Sequence, residues 1–504
     1  MKRSKFSLSH YKLLTCKMGQ LVPVAWFEAL PGDTMQASTS ALIRCAPLVT
    51  PVMHPVSVRF HWWFVPNRLV WANFTKFITG GTDGLDVTAH PTVTHGGVAT
   101  ESGLGDYLGA STTQTGLVYN ALPYRAYALI WNEFYRDQDL QSLAPLSTAD
   151  GADVTTSINA TLNICWEKDY LTSARPWVQK GATVTLPLGT TAPVQRVSSA
   201  VGPVQLYKTG TNTFAGAGTV QVSGASGHFA ENTGGDITLD PGGSLIANLA
   251  AASAIDINSV RTAFALQRYQ EARARYGSRY VEYLRYLGVR SSDARQQRPE
   301  YLGGGKNTIQ FSEVLQTGVT TSGTPSGIGT MFGHGITGTR SRRWRRFFEE
   351  HGIIMCLMSV RPKTMYSQRI KRAFYRGQLS TAGVYGTKYD YWQKEIESIG
   401  QQGIQGGEAD ASAFSAGTPW GYQDRYDEYR REESSVAGAF RSTLDNWHLS
   451  REFGSPPSLN STFVSCVPTT RVFADTTHDN MYVCCNHNIQ ARRLLKKEGT
   501  SLTF

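Results

Sequence analysis

Arg340-Ser341-Arg342-Arg343-Trp344-Arg345-Arg346 is the densest concentration of reactive chemistry in the chain. Five arginines surround one tryptophan. Guanidinium groups attract phosphates and stack on bases, and an indole stacks as well, so these residue types at this spacing point to nucleic-acid contact. The competing reading is a solvated or interface helix start, with Arg345–Glu349 and Arg346–Glu350 as i,i+4 pairs, although that order of charges is the weaker orientation. Basic residues recur at both ends: Lys2, Arg3 and Lys5, then Arg492, Arg493, Lys496 and Lys497. They read as terminal arms that meet nucleic acid or, with equal weight, as solvated tails.

The remaining constellations are weak. Gly333, Gly335 and Gly338 match G-x-G-x-x-G, but a glycine-threonine loop precedes them and Met358 stands where the ribose-binding acid belongs. Gly305-Lys306 looks like a P-loop fragment, yet Glu300 replaces its first glycine and Asn307 its magnesium-binding hydroxyl. Cys484, Cys485 and His487 lack the second ligand pair that structural zinc requires, so strand thiols in a reducing cytosol are the reading. Glu349, Glu350 and His351 read as buried or interfacial polar residues. Asn73, Asn159 and Asn460 begin glycosylation sequons that mean nothing without secretion. H-E-x-x-H, G-x-S-x-G and the His-x-His pair of a rolling-circle nickase are missing. The expectation is a protein with no catalytic residue, no metal and no cofactor.

The elements that would position the arginines are mostly strands. Val56 to Val65 alternates Val56, Val58, Phe60, Trp62 and Phe64 onto one face and stops at Pro66-Asn67. Ala160 to Trp166 repeats that pattern. Gly352 to Val360 is apolar on both faces and reads as a central, doubly covered strand. Phe463 to Val467 and Met481 to Cys485 are further strand candidates. Helices are few: one opened by Pro123, with Tyr127, Ile130, Trp131 and Phe134 on one face, and one from Asp256 to Tyr276. Two apolar stripes on the second predict contacts on more than one side. Pro187 to Ala252, rich in Gly, Ser, Thr, Ala and Val, reads as an inserted surface excursion with some β-structure, or alternatively as a linker between domains. Gly318 to Gly338 reads as a glycine- and threonine-rich loop.

Composition agrees with that outline. Forty-nine glycines and 21 prolines favour short strands and long loops. Charged residues are 17%, low for a soluble domain, as suits a surface buried against copies of itself. Aromatics reach 11%, in keeping with strands and interface cores. The net charge of +10 suits contact with a polyanion over part of the surface. Seven dispersed cysteines suggest no disulfide framework, and the sequence offers neither an apolar leader nor an uninterrupted apolar run long enough to span a membrane. A cytosolic product is expected. The fold class this implies is mainly β: an eight-stranded antiparallel jelly-roll sandwich with long loop insertions and a few helices. Residues 1–186 and 253–504 would form one discontinuous jelly-roll domain, and 187–252 the inserted surface protrusion.

A family resemblance runs through these elements. Trp63-Phe64-Val65-Pro66-Asn67-Arg68-Leu69-Val70-Trp71 resembles the signature of major capsid proteins of gokushovirus-like microviruses, single-stranded-DNA bacteriophages. Leu30-Pro31-Gly32-Asp33-Thr34 precedes it as in that family. Arg125-Ala126-Tyr127, Ile130-Trp131-Asn132-Glu133, Asp169-Tyr170 and Pro176-Trp177 follow in order. So do Asp293-Ala294-Arg295, the run Arg298-Pro299-Glu300-Tyr301-Leu302-Gly303-Gly304, and Glu350-His351-Gly352. Gly421-Tyr422-Gln423, Phe440-Arg441-Ser442-Thr443, Trp447-His448-Leu449 and Leu459-Asn460-Ser461-Thr462-Phe463 complete the series.

The resemblance implies a virion protein, sixty copies of a single-jelly-roll subunit in a T=1 icosahedral shell around circular single-stranded DNA, assembled in the host cytoplasm. It also implies viral scaffolding and pilot proteins as partners and a host receptor reached through the insertion at 187–252. The basic segment from Ala491 and the density of the arginine run depart from the family pattern, so their roles rest on physics alone. Sixty copies at +10 supply roughly 600 charges against on the order of a few thousand phosphates, so a small basic DNA-binding peptide, polyamines or cations are expected as well. Two rivals stay open at this level. A carbohydrate-binding jelly-roll protein would use the excursion as its binding module. A single-stranded-DNA-processing protein would need the missing histidine pair.

Overall fold

The computed structural model describes residues 3–82, 85–95, 98–156, 159–185, 194–196, 206–208, 237–239, 245–247, 257–277, 279–315, 331–375, 401–410, 419–455 and 457–495. Ten strands build the main sheet: β1 (Ser4–Ser7), β2 (His10–Cys16), β3 (Leu21–Ala29), β4 (Thr34–Cys45), β5 (Val56–Pro66), β6 (Glu300–Leu315), β7 (Met331–Arg340), β8 (Trp344–Phe347), β9 (Gly352–Pro362) and β10 (Met481–Arg493). Every ladder between them is antiparallel. One half of the sheet runs β1/β2–β10–β4–β7/β8 and the other β3–β9–β5–β6, and β6 joins the halves by pairing with both β5 and β7. The chain crosses between the halves from β2 to β3, β3 to β4, β4 to β5, β6 to β7, β8 to β9 and β9 to β10, while β1/β2, β5/β6 and β7/β8 stay within one half, an arrangement consistent with the Greek keys of a jelly roll.

The strand chemistry explains the layering. Val56, Val58, Phe60, Trp62 and Phe64 point into the space between the halves and pack with Met35, Ile43, Ile354, Met358, Val483 and Ile489. The opposite face of β5 is also covered toward its C-terminal end, because Trp63 and Val65 lie under α1 (Leu122–Phe134), with Tyr127, Ile130 and Trp131 against them. Strand β9 sits between β3 and β5 with both faces buried, as its unbroken apolar run requires.

Several expectations change. Ala160 to Trp166 forms only isolated bridges, Gln20 to Asn163 and Cys165 to Ser465, and so is an extended segment without a ladder of its own. Phe463 and Val464 fall in one helical turn, Ser461–Val464, because the Asn460 side chain accepts from the amides of Thr462 and Phe463 and caps it. The final strand is longer than Met481 to Cys485. The helix α2 (Ile257–Tyr276) forms, but the first of its two stripes is open, with Ile257 and Phe264 68% and 67% exposed, whereas Ala272 and Ala274, on opposite sides of the axis, are buried and Tyr276 lies 4.7 Å from the Tyr286 ring. A second compact unit spans Gly181–Gln270, wider than 187–252. Its described residues include two small antiparallel ladders, Leu206–Lys208 with Ile237–Leu239 and Val194–Arg196 with Leu245–Ala247. Most of the predicted excursion, and residues 318–330 of the predicted loop, lie outside the described residues. Met331 to Gly338 belongs to β7.

Burial also sets a pH dependence. His54 and His487 are 4% and 0% exposed, and loss of hydration pushes each imidazole down to about 4. The folded chain therefore keeps them neutral while the unfolded chain protonates them near 6.5. Their contribution is complete above that value and is lost as the pH falls from about 6.5 toward 4, at up to about 2–3 kcal/mol for each. Urea-unfolding midpoints should fall over this window, and His487→Gln should flatten the slope. A slope identical in the variant would remove His487 from this account.

Candidate nucleic-acid interface

Strand β8 carries the arginine run, and the alternation of a strand decides which of its side chains face solvent. Its register is Trp344↔Ala37, Arg345↔Gln36, Arg346↔Met35 and Phe347↔Thr34. Ala37 and Met35 are buried inward residues of β4, so Trp344 points into the core. Its ring meets Trp62 edge-on at 5.6 Å and Phe348 at 6.3 Å, and it is 6% exposed. The indole proposed for base stacking is thus a core residue in this fold. No helix begins here, so neither predicted i,i+4 pair forms. Arg346 instead reaches Glu300 at 2.6 Å, and Glu350 binds Arg68 at 2.7 Å.

Arg345 faces outward. Its row continues through Gln36 to Gln490 and Ser7, and the next row runs Phe347–Thr34–Arg492–Lys5. Arg3 closes the corner, with its guanidinium 5.0 Å from the centre of the Phe347 ring and 3.4 Å from the Thr34 hydroxyl. Arg340 pairs with Ser40 and lies on the same outward face, while Arg342 and Arg343 are exposed in the link before β8. Among the described residues, Arg340, Arg342, Arg343 and Arg345 have no ion-pair partner. Lys2, Lys496 and Lys497 lie outside the described residues. Of the basic terminal residues that are described, Arg3 and Lys5 lead into and join β1, and Arg492 and Arg493 end β10. Arg493 is withdrawn from the surface set, because it binds the buried Asp33 at 3.1 Å.

The outward face also holds residues that the sequence reading missed. Arg44 pairs across to Ile336 and Tyr482, and Tyr11 and Tyr482 stand 73% and 45% exposed on the same side. The alternation of Met481, Val483, Cys485, His487, Ile489 and Ala491 was the available signal, because it turns Tyr482 and Arg492 outward. Five cations and two tyrosines on one sheet face combine phosphate attraction with stacking surfaces.

The other motifs are structural. Gly333, Gly335 and Gly338 lie within β7, and a Cβ at Gly335 would stand 2.8 Å from the Cys45 sulfur, so packing explains that glycine. Gly305 is in β6, where a Cβ would meet Ser341 Cα at 2.8 Å. Cys485 and His487 are buried while Cys484 turns to the other face, and no group of metal-ligand type occurs among the described residues. All seven cysteines are free. Asn73 donates to Asp150 at 2.8 Å. No helix among the described residues is long and apolar enough to cross a membrane.

This architecture places the chain among jelly-roll proteins, a class that includes viral shell subunits and lectins. Comparison with known proteins settles which. The chain belongs to the family described as capsid protein (F protein), whose profile matches residues 1–501. It is 36% identical to the capsid protein VP1 of Bdellovibrio phage phiMH2K, over 95% of this chain and 90% of that one. It is 33% identical to the VP1 of Chlamydia phage 1, over 94% and 91%, and 29% identical to that of Spiroplasma virus 4, over 91% and 87%. The chain is a structural major capsid protein of the microvirus type, a component of the virion.

The split between core and surface within the arginine run is testable. Trp344→Ala should lower unfolding free energy by about 3–5 kcal/mol, as for other buried aromatic truncations. Arg343→Gln should change it by no more than about 0.5 kcal/mol. Denaturant titration of both variants checks this, and equal effects would mean the alternation is misassigned.

Proposed function

We propose that this capsid protein assembles as sixty copies in a T=1 icosahedral shell enclosing circular single-stranded DNA, and that the outward face of the β1/β2–β10–β4–β7/β8 half-sheet meets the strand. The observation that carries the second part is the convergence of Lys5, Arg44, Arg340, Arg345 and Arg492 with Tyr11 and Tyr482 on one sheet face. Flat strands position such residues in rows, and flexible single strands follow rows of phosphate and base contacts without sequence readout. Arg342 and Arg343 extend the track at the link before β8. With one subunit net charge of only +10, the strand needs further counterions, so a small basic DNA-binding peptide of the virus is an expected partner. Viral scaffolding and pilot proteins are the further partners of this reading, with assembly in the host cytoplasm.

Segment 187–252 is proposed as an inserted protrusion that carries host-receptor contacts. Its composition gives it little capacity to fill a core, and surface segments tolerate change better than the strands they join.

Two experiments test these proposals. Particles carrying Arg342→Gln, Arg343→Gln and Arg345→Gln together should form at one closed size but retain less DNA and lose it at lower salt, because each lost phosphate contact removes a counterion-release contribution. Full genomes with unchanged salt behaviour would refute the interface. Excising residues 187–252 should reduce host attachment far more than particle yield, since loop closure depends only slowly on length. Insoluble subunits would instead make the segment part of the core.

A further inference from the structure

A second concentration of positive charge lies on the opposite side of the other half-sheet. Where α1 ends at Phe134, the outer face of β5 and β9 loses its helical cover, and Arg59, His61, Ser359 and Arg361 face a cavity of about 300 Å³. The extended segment Ile164 to Lys168 forms its opposite wall, and Phe134 to Asp137 close one end. Arg59, Arg136, Lys168 and Arg361 line it against two acids, Asp137 and Glu167, so the lining carries four positive charges and two negative, a net +2.

The acids are already committed. Glu167 is shared by Arg59 at 3.1 Å, Lys363 at 3.5 Å and Arg361 at 3.8 Å. Asp137 is held by Lys168 and lies 3.7 Å from Arg175. The buried Nε donors of Arg59 and Arg136 have no hydrogen-bond acceptor among the described residues. A buried donor without an acceptor is costly, and two of them on cations of one cavity call for an anionic acceptor. Burial first, then the neighbouring guanidinium of Arg279, pushes Arg136 down against the carboxylates of Asp137, Glu133 and Asp139, and burial with Arg59 does the same to Arg361 against Glu167. The walls are aromatic: Phe134, Tyr135 and Trp166, with the neutral His61 ring held 2.7 Å from the Tyr135 hydroxyl through Nδ1.

We propose that this cavity is a phosphate-binding site, in which Arg59, Arg136 and Lys168 engage the phosphate oxygens and the aromatic wall receives the group that the phosphate carries. Guanidinium forks suit tetrahedral oxyanions through paired donors, and lysine adds a point charge. The volume accommodates a group of nucleotide size. The phosphate comes either from one nucleotide of a nucleic-acid strand or from a free phosphate compound. The site does not depend on the sheet face proposed above, since none of its residues belongs to that face.

The test uses the full-length protein freed of nucleic acid, titrated calorimetrically with inorganic phosphate, thymidine monophosphate and an oligothymidylate of eight residues, with acetate as the carboxylate control. One equivalent of thymidine monophosphate should bind per chain, and Lys168→Gln and Arg59→Gln should each weaken it by about tenfold, the usual loss for one charge-assisted contact. Lys168 is 44% exposed at its side chain, so its variant keeps the site testable if Arg59→Gln fails to fold. Arg343→Gln should leave this binding unchanged, which separates the site from the sheet face. Displacement of the monophosphate by the oligonucleotide assigns the site to a strand, and saturation by phosphate compounds without displacement assigns it to a free one. No saturable phosphate binding, binding equal to acetate, or affinities unchanged in Lys168→Gln and in any folded Arg59→Gln would overturn the proposal.

Discussion

The burial of both faces of β5 is the constraint on which the rest of the subunit depends. One face, through Phe60, Trp62 and Phe64, fills the space between the two half-sheets. The other, through Trp63 and Val65, needs a cover, and α1 supplies it. A strand that is apolar on two sides fixes its neighbours on three fronts: β6 and β9 in the ladder, β10 and β4 across the sandwich, and α1 behind. Register follows from the same constraint, because a slip of one residue would exchange the two sets of side chains. Pro66 then ends the strand, and the Asn67 amide donates to the His351 carbonyl at 3.0 Å, so the chain turns at a position held by β9.

The core and the charged surface are coupled through β8. Trp344 anchors the strand against Trp62, and that anchor turns Arg345 and Phe347 to the outside. The arginines owe their exposure to a buried neighbour and not to a mobile loop. At the same corner, Asp33 receives the Leu30 amide at 3.0 Å and the Arg493 guanidinium at 3.1 Å, which ties the turn before β4 to the end of β10. The basic termini are thereby brought beside the arginine run, although nearly 500 residues separate them in the chain.

Fully buried charge plays the corresponding part on the helical side. Arg125 and Asp153 form a 2.7 Å pair with both side chains at 0% exposure, and Arg125 also donates to the carbonyls of Val70 and Ala149. Asp153 accepts from the amides of Thr155 and Thr156. Both Asp153 oxygens accept twice and every Arg125 nitrogen donates at least once, the condition under which a buried ion pair holds a loop without a large penalty. Arg125 and Tyr127, which the sequence offers as part of the family resemblance, are internal fasteners. The Tyr127 hydroxyl donates to the Leu21 carbonyl at 2.8 Å, and the Leu162 amide donates to that hydroxyl at 2.9 Å.

The sequence alone determined the strands with strong periodicity, β5 and β9, the helix opened by Pro123, the mainly β class and the absence of a recognisable catalytic motif. These depend on local alternation, composition and turn chemistry, which are properties of short windows. It also located the arginine run and the basic termini as candidates. Tertiary structure decided which of those side chains face outward. Trp344 is buried because Ala37 opposes it, and Arg493 is consumed by Asp33, facts that depend on partners hundreds of residues away. The segment Ala160 to Trp166 alternates like a strand but meets only isolated bridges, since a ladder needs a second strand that no local pattern can supply. Likewise Phe463 and Val464 were drawn into a helical turn by the Asn460 cap. The cavity at Arg59 was invisible for the same reason: its donors come from four separate stretches of chain, and their excess charge exists only once the fold has assembled them.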